Sequence, residues 1–189
     1  MESNLSVFDK LLAHRIVFLN GEIEADISAL LCAELLWLDL QNHDFITLYI
    51  NSPGGLITGL WTIYDTIQQL NSPIKTICMG EAFSSAAVIL AAGTPGHRQI
   101  VPHGKVMIHG IQVEFLMGGT QADFEEESKR VKEDNQTMME VLARLSGQSL
   151  RKVKRDCTDD KYFSPKEALA YGLVDEIVSP KRSIPELKR

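Results

Sequence analysis

The chain lacks the features that mark secreted, membrane-embedded and nucleic-acid-binding proteins. Its three cysteines, Cys32, Cys78 and Cys157, are odd in number, far apart and outside any C-x-x-C spacing. That pattern argues against a disulfide framework and a zinc site, and it fits a reducing, cytoplasmic compartment. No apolar run approaches the roughly 20 residues that a membrane-crossing helix needs. The stretch Met1-Glu2-Ser3-Asn4-Leu5 has neither the basic nor the apolar region of a signal peptide. A soluble protein that is not secreted is expected. Positive charge is also in deficit: the net charge is −6 and the pI near 5.4. The short basic runs Arg151-Lys152-Val153-Lys154-Arg155 and Lys181-Arg182 sit among acids and read as solvated helix faces, so neither a membrane nor a nucleic-acid partner is expected. No G-x-x-x-x-G-K-[ST] or G-x-G-x-x-G occurs, so the nucleotide-binding motifs fail. Linkers, repeats and low-complexity tracts are missing too.

What is present is 189 residues at 44% hydrophobic content, enough for one domain, 1–189, with a substantial core. Strand and helix patterns alternate: strand Arg15–Leu19, helix Asp26–Leu40, strand Phe45–Ile50, helix Leu56–Leu70, strand Ile74–Met79, helix Ser85–Ala92. That order predicts an α/β layer fold. Short strands follow at Arg98–Val101, Lys105–His109 and Leu173–Val178. Before the last of them, Ser164-Pro165-Lys166-Glu167 supplies an N-cap, an N1 proline and the N3 acid of a capping box, and Gly172 supplies a stop. A long helix is expected over about 123–145, where Phe124, Val131, Met138 and Leu145 recur every seven residues. Its stripe is thin. Ser128 and Asn135 are polar at core-type positions and Glu125-Glu126-Glu127 crowd the first turn, so the helix is expected to project and to pack against another subunit; an ordinary surface helix is the alternative.

Two strand-to-helix junctions carry candidate chemistry. In Met79-Gly80-Glu81-Ala82-Phe83-Ser84-Ser85 two serines follow a glycine turn and head an apolar helical run. Serine at such a place is commonly an N-cap. It is equally the place where free N–H groups and the positive dipole end stabilise a developing oxyanion, so either serine is a candidate nucleophile. The second junction, Asn51-Ser52-Pro53-Gly54-Gly55, reads as a tight turn or as backbone N–H groups facing an anion, with an oxyanion hole the better functional reading.

A nucleophilic serine needs a base and a third group that orients the base. His14, His43, His97 and His103 fall in turns or flanking positions, whereas His109 ends the run Val106-Met107-Ile108, where a strand leaves the core. It reads as a core-edge histidine or as the base. For the third member, Asp160 in Asp156-Cys157-Thr158-Asp159-Asp160 ranks first because it stands next to Tyr162-Phe163, with Asp156 and Asp159 behind it. Asp175 reads as a helix-to-strand turn, and a Ser–Lys dyad with Lys105 is a minor variant.

In order and spacing these residues resemble the Clp protease proteolytic subunit, ClpP, a serine peptidase family with a crotonase-like spiral of β-β-α units and a projecting handle helix. The likeness runs from Ser6 to about Val178. It is carried by Leu11-Leu12-Ala13-His14-Arg15-Ile16-Val17-Phe18-Leu19, Leu48-Tyr49-Ile50-Asn51-Ser52-Pro53-Gly54-Gly55, Ile63-Tyr64-Asp65-Thr66 and Ile77-Cys78-Met79-Gly80. It continues in Ala91-Ala92-Gly93, Val106-Met107-Ile108-His109 and Tyr171-Gly172-Leu173-Val174-Asp175. The family motif Gly-x-Ala-x-Ser implies Ser84 as nucleophile and leaves Ser85 at a position that the family usually fills with Met. The resemblance further implies His109 as base, Asp160 as its orienting acid, and the backbone N–H groups of Gly55 and Ser85 as oxyanion donors. On that basis the side chain of Ser85 is expected to matter little.

The implied activity is serine endopeptidase hydrolysis of peptides and unfolded proteins through an acyl-enzyme, with no metal or organic cofactor. The implied partners are other copies of the chain, as heptameric rings stacked to a tetradecamer, and an AAA+ unfoldase. The alternatives are a non-catalytic or unfoldase-independent ClpP-like structural subunit and a crotonase-type acyl-CoA enzyme, which would work through carboxylates.

Three departures from the family pattern stand out. After His109 the family usually continues Gln-Pro and soon reaches Gly-Gly, whereas this chain runs Gly110-Ile111-Gln112 to Gly118-Gly119 and is somewhat longer. Lys161 stands where Arg is common, keeping the charge without the planar fork, so ring association is expected to be weaker or differently controlled. Only Met1 to Leu5 precede the matched residues, where family members carry an apolar axial loop that engages the unfoldase. A short or missing loop, and a chain active without a propeptide, are expected.

Overall fold

A computed structural model describes residues 6–112 and 120–178. The readings placed on residues 1–5, on 113–119 and on Lys181-Arg182 lie outside the described residues. In chain order the elements are α1 (Val7–Leu12), β1 (Ile16–Asn20), α2 (Ala25–Gln41), β2 (Ile46–Ser52), α3 (Ile57–Gln69), β3 (Ile74–Phe83), α4 (Ser85–Ala91), β4 (Arg98–Ile100), β5 (Lys105–Ile108), α5 (Gln121–Ser146), α6 (Leu150–Asp156), β6 (Lys161–Phe163), α7 (Pro165–Tyr171) and β7 (Glu176–Ile177). The expected α/β architecture is present. Strands run parallel in the order β1-β2-β3-β4-β7, while β5 pairs parallel with β3 and antiparallel with β6.

The core follows the two periodicities of the sequence. Along β2, Ile46, Leu48, Ile50 and Ser52 are buried in alternation; along α2 and α3, Leu31, Leu35 and Leu38 and Leu60, Ile63 and Ile67 bury one stripe each. Helix α4 is different. All seven of its residues are buried, and only a short, mostly alanine-and-aliphatic segment is compact enough to run through a core. The thiols of Cys78 and Cys157 lie in that interior, where desolvation pushes them up to about 12 and about 11.

Strand β3 is longer than the sequence pattern suggests. The expected glycine turn after Met79 is a kink inside one strand: Gly80 has φ +108, and a Cβ there would sit 2.3 Å from Asn51 Oδ1. The kink changes the strand's neighbour. Thr76 to Cys78 pair with β4, whereas Glu81 to Phe83 pair with β5. Helix α5 starts on the reciprocal Thr120–Asp123 capping box and stops at Gly147 with φ +68. Its buried residues, Met138, Met139, Leu142, Ala143 and Ser146, all belong to its C-terminal part. The N-terminal part therefore has no place in the core, as the thin stripe predicts. Asn135 is polar for a local reason: its Oδ1 accepts the Ile111 N–H at 3.0 Å.

Helices α1 and α6 and strand β6 are too short for periodicity to show them. Serine caps at Ser6 and Ser149 mark the two helices. Of the basic run Arg151–Arg155, Arg151, Lys154 and Arg155 are exposed on α6 and Lys152 is half-buried, while the helix buries Val153 and Asp156.

Candidate active site

Three neighbouring strands bring the candidate residues together. In the β3–β5 pairing Phe83 lies opposite Met107, and the next residue, Ser84, donates its N–H to the Met107 carbonyl at 2.9 Å. In the antiparallel β5–β6 pairing Ile108 lies opposite Lys161, which sets His109 beside Asp160. The side chains close the chain of contacts: Ser84 Oγ is 2.8 Å from His109 Nε2, and His109 Nδ1 is 3.1 Å from Asp160 Oδ1. The imidazole is mostly enclosed, with 15% of its side chain exposed, while Asp160 is 46% exposed. Of the runner-up acids, Asp156 is buried and bound to Arg155 and Lys161 instead, at 3.0 Å each. Lys105 pairs in the sheet with Glu81, three residues before Ser84.

Ser84 sits at the junction in a rarely populated backbone state, φ +54 and ψ −124. It caps no N–H of α4 with its side chain, so the N-cap reading fails. The turn at Gly54-Gly55 lies directly against it. A Cβ on Gly54 would meet Phe83 O and Ser84 Cβ at 2.7 Å, and one on Gly55 would meet Ile23 O at 2.5 Å, so both positions exclude side chains. Gly54 O accepts the Ile23 N–H at 2.7 Å and Ile23 O accepts the Leu56 N–H at 2.9 Å. Among the described residues, neither Gly55 N–H nor Ser85 N–H has an acceptor. Ser85 is buried, and its Oγ donates to Gly55 O at 3.0 Å.

A comparison with protein-family models matches Clp protease over residues 1–181 of the 189-residue chain. The chain belongs to the Clp protease family. It is accordingly a ClpP-type peptidase, and its mixed α/β fold with mostly parallel strands agrees with that family.

In this Clp protease family member, contacts of three further residues escaped the sequence reading. Ile23, on the loop between β1 and α2, forms a bridge to Gly55 through its backbone alone, for which sequence carries no signal. Asn135 pins Ile111, two residues after His109, and the polar residue in an apolar stripe was its signal. Arg98 donates to the carbonyls of Ala91 and Leu145, at the last turns of α4 and α5, and is itself held by Asp175. Asp175 is thus an ion-pair partner rather than only a turn residue. Lys161 is occupied within its own chain, at 3.0 Å from Asp156 and over the rings of Phe163 and Tyr171 at 5.7 Å. Among the described residues no helix is long and apolar enough to cross a membrane.

Proposed function

We propose that the chain is the proteolytic subunit of a Clp-type self-compartmentalising protease, a serine endopeptidase acting on peptides and unfolded proteins in the cytoplasm. The single observation that carries this reading is the pair of contacts at 2.8 Å and 3.1 Å linking Ser84, His109 and Asp160 in one line. In the proposed mechanism Ser84 Oγ attacks the peptide carbonyl while His109 Nε2 takes its proton. Asp160 holds Nδ1–H and so fixes the tautomer in which Nε2 is free to accept, and it stabilises the imidazolium that forms. The tetrahedral oxyanion receives the N–H groups of Gly55 and Ser85, which have no competing acceptor among the described residues. His109 returns the proton to the leaving amine, and water, activated by the same imidazole, releases the acyl group. No cofactor enters these steps.

The proposed assembly is two stacked heptameric rings, with residues 1–189 as one domain in each subunit. An under-buried N-terminal half of α5 and exposed apolar side chains on α2, among them Leu36, Trp37 and Leu40, support contacts with further copies. An AAA+ unfoldase is the proposed second partner. Three free buried cysteines suit a reducing compartment.

Hydrolysis of a short fluorogenic peptide tests the chemistry. Ser84→Ala and His109→Ala are expected to abolish turnover, and Asp160→Asn to lower kcat by up to about 10⁴-fold, as for a triad aspartate elsewhere. Full activity in Ser84→Ala would overturn the assignment, whereas failure of a serine-directed probe to label the assembled wild-type protein would favour a non-catalytic subunit. Native mass measurement with and without a candidate unfoldase tests the assembly.

A further inference from the structure

We propose that the side-chain hydroxyl of Ser85 is a positioning residue for the oxyanion hole: by gripping Gly55 O it sets where the Gly55 N–H stands. This rests on the peptidase reading above and deepens it.

The argument starts from the two peptides that flank Gly55. No peptide bond among the described residues is cis, so N–H and C=O of each unit point opposite ways. In the unit before Gly55, Gly54 O points to the Ile23 N–H, so the Gly55 N–H points away from Ile23. In the unit after it, the Leu56 N–H points to Ile23 O, so Gly55 O also points away from Ile23. The N–H and the C=O of Gly55 therefore share one side of the loop, the side on which α4 lies, since Gly55 O meets Ser85 Oγ there. Ile23 fixes only the back of this loop. At Gly55 itself, the hydrogen bond on the other side is from Ser85 Oγ to Gly55 O, at 3.0 Å; one residue earlier the Gly54 N–H is held by Ser52 Oγ at 3.1 Å.

That bond links the two donors. Ser85 is the first residue of α4, and its own N–H is the other proposed oxyanion contact. One residue thus supplies a donor from its backbone and, through its side chain, spaces the second donor from the first. The hydroxyl has no local role that would explain it otherwise: it caps no helix, and it reaches across 30 residues of sequence rather than to its own turn. Two glycines give the loop its close approach to Ser84 but also its freedom, since a Gly-Gly pair has the widest choice of backbone states. A pin on Gly55 O removes that freedom where a displacement of a fraction of an ångström weakens transition-state stabilisation.

The test uses the assembled full-length protein with Ser85→Ala, which removes the donor, and Ser85→Thr, which keeps it. A neutral hydrogen bond converts to roughly 3- to 10-fold, so Ser85→Ala is expected to lower kcat by about that factor with KM unchanged. A peptidyl boronate, whose tetrahedral adduct on Ser84 places an oxygen in the hole, is expected to bind weaker by the same factor. A product peptide, which makes no tetrahedral centre, is expected to bind as before. Ser85→Thr is expected to recover most of kcat. An unchanged kcat in Ser85→Ala, or a loss confined to KM with boronate affinity intact, would overturn the proposal. The two readings fail differently: activity in Ser84→Ala removes the peptidase mechanism, whereas an inactive Ser84→Ala beside a fully active Ser85→Ala removes only the positioning role.

Discussion

Arg98 and Asp175 form a two-pronged ion pair, Nη2 to Oδ1 at 2.6 Å and Nε to Oδ2 at 2.9 Å, that closes the C-terminal ends of α4 and α5 over the sheet. Arg98 is 8% exposed, and its Nη1 donates to both Ala91 O and Leu145 O. Because α4 begins at the Ser84-Ser85 junction and α5 is the 26-residue helix Gln121–Ser146, this pair ties the ends of both to the same part of the sheet. Replacing Asp175 by Asn leaves a buried cation short of its counter-charge. A loss of stability on the order of 3 kcal/mol is expected, read as a lower urea midpoint for Asp175→Asn. An unchanged midpoint would count against it.

Acid should expose the same pair. The hydrogen bonds and charge of Arg98 hold the Asp175 carboxyl below its ordinary range; at Asp39 burial pushes the other way but is outweighed by hydrogen bonds from Ser72 and Asn71. Both folded values lie below the unfolded one, near 3.9 for Asp. The stability they contribute is therefore present above about pH 4 and is lost as pH falls through the folded values, because the unfolded chain then binds more protons. Unfolding free energy measured from pH 6 down to pH 3 is expected to fall, and to fall less steeply in Asp175→Asn.

The strained conformation of Ser84 makes a prediction about stability that is separate from catalysis. With φ at +54, a residue carrying Cβ costs energy that glycine does not. Ser84→Ala and Ser84→Gly lose the same hydroxyl and are both expected to be inactive. Ser84→Gly is nevertheless expected to be the more stable by about 1 kcal/mol, and thermal melts of the two proteins side by side would show it.

Asn135 connects the projecting helix to the segment that follows His109. Its Oδ1 takes the Ile111 N–H, while Gly110 N–H is taken by Cys157 O at 2.8 Å. Removing the acceptor in Asn135→Ala is expected to cost about 1 kcal/mol and to lower peptidase kcat a few-fold through a less fixed His109. Asn135→Asp keeps the acceptor and is expected to retain kcat. Equal losses in both variants would contradict this account.

Much of the molecule was legible in the chain alone. Periodicity located the long elements because burial imposes a two- or 3.6-residue repeat on them, and the capping motif at Ser164 ended where Gly172 takes φ +88. The residues Ser84, His109 and Asp160 stood out because a strand end, a helix start and an acid beside aromatics are recognisable places, and the ClpP resemblance ranked them. The boundaries of β3 were not legible. A glycine before a helix reads as a turn, and only the packing of Asn51 against Gly80 shows a strand that bends and changes partner. Three things waited for the tertiary structure: the register that sets His109 beside Asp160, the backbone bridge from Ile23 to Gly55, and the bond from Ser85 to Gly55. Each joins residues remote in sequence through main-chain geometry, which leaves no mark on residue type; the sequence named the groups, and the pairing of strands decided their distances.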